Sequence, residues 1–436
     1  MRNLLWHIAT LRHVEKLGRA PRGRGFFRPG ASGARCQSHF STAAITLALA
    51  LLLSAAVPAR AETVARCGQG WLERIDGYRV LHLKGTPYEI GYQHGALLKQ
   101  DVRANLDYLV NVKGATPLKI GPLPVSPRAA IDAIVKLQWR HVPTKYFDEM
   151  AAMAVAADLK VEEVRMGNFI PEMFHCSGFA VMNSATRDGT LYHGRVLDYA
   201  VDWQLQDHAV LIVCEPEGEI PFVNVSYAGF IGSVTGMNSR HVSIGEMGGG
   251  GQGHWDGMPM ALLVREVLQT AGDLDAAIAT MRDRPRTCQY FYVIADGNTN
   301  RAVGMEGSWD KFAVIQAGEA HPLLPKPVKD AVLLSADRRY DELVRRAQAQ
   351  HGRIDAQAAL RLMDLPVALK SNLHDVLFAP KSTDLWVANA SHDKQPAATQ
   401  PYAHFNLAEM LASQPDPAAP EIPLLPTSGK TGNGSP

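Results

Sequence analysis

Three side chains of this sequence have the types and spacing for covalent catalysis: Cys176, Arg195 and Asp198. A thiolate is a strong nucleophile, and a neighbouring Arg lowers a thiol's pKa from its free value of about 8.5. A nearby Asp can accept hydrogen bonds from an amine or orient the Arg. Cys176 opens the apolar run Ser177–Ser184, and Thr186-Arg187-Asp188-Gly189 follows as a turn. The second run, Thr190–Val196, leads directly into Leu197-Asp198. Asp-Gly between two such runs is a hairpin signal. The hairpin predicts that Arg195 and Asp198 fold back beside Cys176. On its own, a cysteine at such a junction equally suits a buried packing residue.

Other candidate motifs lose weight in context. Gly248–Gly253 matches G-x-G-x-x-G but lacks the strand–helix setting and the acidic partner of a dinucleotide site, so it reads as a loop beside a pocket. His193, His241 and His254 have no metal-ligand spacing, and Cys67, Cys214 and Cys288 form no C-x-x-C pair. The residues call for no metal and no cofactor. Cys36 falls in a segment expected to be removed.

The elements around Cys176 change character at that residue. Upstream, Thr86-Pro87-Tyr88-Glu89 predicts a capped helix start, with Pro at the first helical position. Helical patterns follow near 127–141 and 145–157, with a short strand at Tyr78–Leu83, so 62–175 reads as mostly helical. Downstream come short β-rich runs with turn signals: 207–215, 220–228 and 236–247, then 289–297, 301–308 and 311–318. Helices are predicted at 259–270, at 274–282 after an Asp273 cap, at 336–350 and at 355–363, with a last strand near 385–390. Strands, a helix pair and more strands suggest two packed sheets with helical outer layers, an α+β fold. Residues 413–436 are rich in Pro, Gly and Ser and read as a disordered tail.

The chain has 436 residues and a formal net charge of +1. Residues 1–61 carry nine basic groups and one acid, which leaves 35 basic against 42 acidic groups, a net of −7, on residues 62–436. An acidic body without a basic block argues against a nucleic-acid partner. Thr42–Val57 is an uncharged apolar run, short for a membrane span, and Ala59-Arg60-Ala61 follows it. Together they read as an export signal cut after Ala61, giving a periplasmic or secreted protein without stable membrane insertion.

Several of these segments resemble one family. Gly85–Gly95 looks like the pro-segment opening of the acyl-coenzyme A:6-aminopenicillanic acid acyltransferases, which are N-terminal-nucleophile hydrolases. Cys-Ser-Gly-Phe-Ala and Asp188–Tyr199 look like their nucleophile hairpin, Thr235–Ser239 like their G-x-N turn, and Arg286–Asp296 and Asn372–Phe378 like later segments. The resemblance implies an αββα four-layer sandwich of two antiparallel sheets with a helical N-terminal pro-segment. It implies self-cleavage between His175 and Cys176 into chains 62–175 and 176–436, which stay associated, with a hydrolase core over 176–412. The new Cys176 α-amine, titrating at about 7.7–8.0, would act as base. Cys176 would be nucleophile, Asp198 would hold the amine, and Arg195 would position substrate or stabilise charge. Asn238 would be an oxyanion contact, although Asn also occupies such turns for backbone reasons. Where relatives carry an Asn in the later β segment, this chain has Thr287-Cys288-Gln289, so Gln289 or a backbone amide would substitute.

The function expected is cleavage of linear amide C–N bonds in a small acyl-amide through a thioester on Cys176. Water or an amine can resolve a thioester, so hydrolysis and acyl transfer both stand, with hydrolysis favoured outside the cell. The alternatives are a phospholipase B-like lipid esterase and a processed binding protein without turnover.

Overall fold

A computed structural model of the chain describes residues 61–115, 118–120, 123–169, 176–250 and 253–426. The expected export segment up to residue 60, and His175 at the expected cleavage point, lie outside the described residues. The first described element is an antiparallel ribbon, β1 (Glu62–Cys67), β2 (Gly70–Ile75) and β3 (Tyr78–Gly85). Helices α1 (Pro87–Leu97) and α2 (Lys99–Asp107) follow, and α2 runs into a π-helical turn, Tyr108–Lys113. The small hairpin β4 (Leu118–Ile120) and β5 (Leu123–Val125) precedes α3 (Pro127–Gln138), α4 (Thr144–Ala157) and α5 (Val161–Asn168). Residues 62–85 therefore hold three strands where one short strand was expected. The α1 start is as its residues predict: the Thr86 side chain accepts from the Glu89 amide and the Glu89 carboxylate accepts from the Thr86 amide at 2.8 Å.

After Cys176 come the hairpin strands β6 (Ser177–Asn183) and β7 (Gly189–Asp198). A meander follows: β8 (Ala209–Pro216), β9 (Phe222–Tyr227), β10 (Thr235–Asn238) and β11 (Val242–Gly248). Then come α6 (Met260–Thr270) and α7 (Leu274–Asp283), the latter capped by Asp273. Three more strands are β12 (Gln289–Asp296), β13 (Arg301–Ser308) and β14 (Phe312–Gln316). The chain continues through β15 (Ala331–Leu334), α8 (Asp337–Gln350), α9 (Ala356–Leu362), β16 (Asn372–Ala379), β17 (Asp384–Asn389), β18 (Ala403–Asn406) and α10 (Leu407–Ala412).

These strands form a ten-stranded sheet, β1-β2-β3-β8-β9-β10-β11-β12-β13-β14, and a six-stranded sheet, β15-β6-β7-β16-β17-β18. Every ladder is antiparallel except β3 against β8. The sheets face each other across an apolar layer in which Val80, Leu211, Val213 and Val223 of one meet Val376, Phe378, Leu385 and Val387 of the other. Helices α1, α4, α6 and α7 cover the outer face of the larger sheet, and α8 and α9 cover the smaller. The four layers are the αββα sandwich that the resemblance implies. Burying each Leu, Val, Ile or Phe in such layers contributes about 1.5–3 kcal/mol.

Residues 413–426, expected in a disordered tail, run beside β1. The Arg66 amide donates to the Pro420 carbonyl at 2.8 Å and the Ile422 amide to the Arg66 carbonyl at 2.8 Å. Residues 427–436 lie outside the described residues.

Candidate active site

Cys176 immediately precedes β6, and the β6–β7 register sets Ser177 against Val196 and Gly178 against Arg195. The thiol therefore meets the last turn of the partner strand, where the Asp198 backbone hydrogen-bonds to it. Successive side chains of a strand point to opposite faces. Arg195 points between the sheets and Asp198 toward the outer helices, so the two charges approach the cysteine from opposite sides.

The Arg195 side is entirely buried. Its Nη2 lies 3.4 Å from Glu246 Oε2 on β11. The strand crossing above must be bare to admit it: a Cβ on Gly245 would sit 2.6 Å from Arg195 Cγ. His193, two residues before on the same face, bonds through Nδ1 to Ser243 Oγ at 2.8 Å and is a structural histidine.

The Asp198 side includes a partner that sequence reasoning missed. Arg339 of α8 places Nη1 2.6 Å from Asp198 Oδ2, and the Leu369 amide donates to Oδ1 at 2.8 Å. Burial still pushes the Asp198 carboxyl up, to about 6, against the lowering pull of the Leu369 amide and of Arg339 and Arg195. Behind it, Asp375 is held well above the carboxylate range by burial and by the Asp198 charge; it accepts from Asn372 Nδ2 at 2.8 Å. Nothing in the local pattern around Arg339 distinguishes it from the other basic residues of an amphipathic helix.

The thiol does not behave as its Arg neighbour alone predicts. Burial pushes Cys176 up to about 11; Arg195 pulls it back, and Glu246 and Asp198 oppose that pull. The expected lowering is corrected on this point: desolvation of a thiolate outweighs one cation that is already paired with a carboxylate.

Asn238 is not part of this group. It ends β10, and β11 runs from beside it to Met247 and Gly248, which line the cleft of Cys176. Its Nδ2 donates to the carbonyls of Leu268 and Ala271 at 3.0 and 2.8 Å. Its Oδ1 accepts from the amides of Arg240 and Val242 at 3.1 and 3.0 Å. A side chain satisfied on every side in a turn is a structural residue, and the oxyanion role expected for it is withdrawn.

The cysteine opens on a cleft of about 910 Å³, including its mouth, lined by Met247, Gly248, Gly249, Gln289, Phe291 and Tyr340 among others. Gln289 lines this cleft and gives its Nε2 to Glu306 Oε1 at 2.6 Å. Gly248 and Gly249, which open the glycine run, line this cleft. A second, apolar cavity of about 690 Å³ is lined by Leu109, Leu197, Leu205, Val225 and Phe230, with Leu197 next to Asp198 on β7. Cys67, Cys176, Cys214 and Cys288 are all free and buried. Among the described residues no three His, Cys, Asp or Glu side chains gather as metal ligands would.

The sequence model of the family described as acyl-coenzyme A:6-aminopenicillanic acid acyl-transferase matches residues 185–321. The 40 kDa form of the acyl-coenzyme A:6-aminopenicillanic-acid-acyltransferase of Emericella nidulans is 26% identical over 239 residues, 52% of this chain and 64% of that protein. Over residues 185–321 the chain is similar to this acyltransferase family. Another relative is protein dcd1A of Dictyostelium discoideum, 27% identical over 286 residues, 58% of this chain. The match spans 64% of dcd1A's length. The N-acylethanolamine-hydrolyzing acid amidase of Mus musculus is 22% identical over 185 residues, 40% of this chain and 50% of that protein. Within the acyltransferase match lie Arg195, Asp198, Asn238 and Gln289, with Cys176 just ahead of it.

Proposed function

We propose that this chain is an exported, self-cleaving cysteine N-terminal-nucleophile hydrolase that breaks linear amide bonds of acyl-amides. The observation that carries the reading is the placement of Cys176 at the start of β6, between buried Arg195 and Asp198 and open to a cleft. The name of the Mus musculus relative, an amidase, supports breaking an amide, and that of the Emericella nidulans relative, an acyltransferase, supports an acyl-enzyme that can pass its acyl group on.

In the precursor, the Cys176 sulfur attacks the His175 carbonyl carbon and the His175–Cys176 C–N bond breaks. The acyl group then sits on sulfur as a thioester and the Cys176 nitrogen becomes a free amine. Water hydrolyses the thioester, leaving a His175 carboxylate. In turnover, that amine takes the thiol proton as sulfur attacks the substrate carbonyl. A thiol held near 11 keeps its proton at neutral pH, so a base at this point is required. The protonated amine then gives the proton to the departing nitrogen. Water resolves the second thioester; an acceptor amine in its place would give transfer. Arg195 supplies positive charge to the tetrahedral oxyanion, and Asp198 holds the amine. The apolar cavity beside Leu197 supports a hydrocarbon acyl group.

Denaturing electrophoresis with N-terminal sequencing tests this directly. Wild type should give two fragments, the larger beginning at Cys176, and should cleave N-acyl amides. Cys176→Ala should stay whole and inactive. A fully active Cys176→Ala protein would overturn the reading, and turnover of esters but not amides would replace it with the lipid-esterase alternative.

A further inference from the structure

The acidic body carries a strongly basic hollow apart from the cleft of Cys176. Five arginines, Arg187, Arg345, Arg346, Arg353 and Arg361, line a surface cleft of about 1160 Å³ between α8 and α9, against the carboxylates of Asp355 and Asp364. Some of that charge is spent internally. Arg345 and Arg346 share Glu342, both at 2.7 Å, and Arg187 pairs with Asp355 at 2.7 Å. Arg353, in the turn after α8, gives its guanidinium to the Ala349 carbonyl at 2.6 Å, and the exposed Arg361 guanidinium makes no hydrogen bond among the described residues. The hollow keeps a net positive charge on a body of net −7.

An apolar feature adjoins it. Arg346 donates to the carbonyls of Arg361, Leu362, Asp364 and Leu365, so the loop after α9 begins at the wall of the hollow. That loop exposes two leucines, Leu365 and Leu369, each 38% accessible, and ends on exposed Lys370. Large apolar side chains beside clustered arginines match the two parts of a lipid interface, acyl boundary and charged headgroup.

We propose that this face, the arginine hollow with the Leu365–Lys370 loop, docks the protein onto an anionic lipid bilayer. The arginines meet the phosphate headgroups and Leu365 and Leu369 enter the acyl boundary. Neither a soluble anion nor an acidic peptide has use for the two exposed leucines, which is why a bilayer is the occupant favoured. The proposal does not depend on the amidase reading, because its readout is binding.

Co-sedimentation of the purified protein with phosphatidylglycerol/phosphatidylcholine vesicles, against phosphatidylcholine vesicles alone, tests it. The protein should pellet with the anionic vesicles only, and less as salt rises. Arg345→Glu with Arg361→Glu should weaken the partition at least about tenfold, since each surface cation contributes about fivefold. Leu365→Asp should also weaken it, and circular dichroism of both variants should match wild type. Should the double variant misfold, Leu365→Asp alone carries the test. Equal pelleting with neutral vesicles, no pelleting, unchanged pelleting of Leu365→Asp, or capture by polyglutamate without vesicle binding would each overturn the proposal.

Discussion

At the residue scale, the charge state of Asp198 sets the behaviour of the site. Its carboxyl is held up at about 6, above the value of about 3.9 in an unfolded chain, chiefly by burial. Its contribution to stability is therefore fully present below about pH 4 and is lost as pH rises through about 6. The same ionisation creates the carboxylate that would hold the Cys176 amine, so amidase activity should rise through about pH 6. Arg339→Met removes a cation that lowers that value, and the acid limb of the kcat/KM profile should move to higher pH. An unmoved limb would show that Asp198 is not the group titrating. Asn238 gives the contrasting case. With its four hydrogen bonds lost, Asn238→Ala should cost about 2–4 kcal/mol in chemical unfolding. It should leave kcat within a few-fold of wild type, whereas removing an oxyanion donor typically costs about 100- to 1000-fold.

At the element scale, the β6–β7 hairpin sets the proposed nucleophile, Cys176, beside Arg195 and Asp198, and β11 must lie close over it. Gly245 is the point of closest approach to Arg195. Gly245→Ala should push the guanidinium aside and lower kcat by about ten- to a hundredfold, with little effect on secondary structure by circular dichroism. The hairpin was legible in the sequence because Asp-Gly and two alternating runs specify it locally. The capped start of α1 and the Asp273 cap of α7 were legible for the same reason. Strands β1 and β2 were not: each is six residues long, and β1 mixes charged with partly exposed positions, so neither shows a clean alternation. Strand β15, Ala-Val-Leu-Leu, is too short to distinguish from a helical turn. Arg339 and Glu246 reach the site through contacts between distant elements, and no local pattern encodes such contacts. The Cys176 pKa was misjudged likewise, because burial and the Glu246 charge are properties of the folded interior.

At the scale of the whole molecule, the segment before Cys176 is built into the fold. Strand β3 pairs in parallel with β8 from Val80 to Gly85, joining the two sides of the expected cleavage point in one sheet. Helices α1 and α4 share a core with α6 and α7. The two fragments expected from self-cleavage should therefore co-elute in size-exclusion chromatography under native conditions and separate only in denaturant. Separation in native buffer would show that cleavage dismantles the larger sheet.

Strand β1 forms one margin of the ten-stranded sheet, and the stretch around Pro420–Ile422 lies along it. An uncovered margin presents a row of unpaired amides and carbonyls to any other chain. Residues 420–422 cover part of that margin at Arg66. Removing residues 413–436 should leave the catalytic cleft intact yet lower solubility, with the truncated protein forming large β-rich aggregates by light scattering where the intact chain stays dispersed.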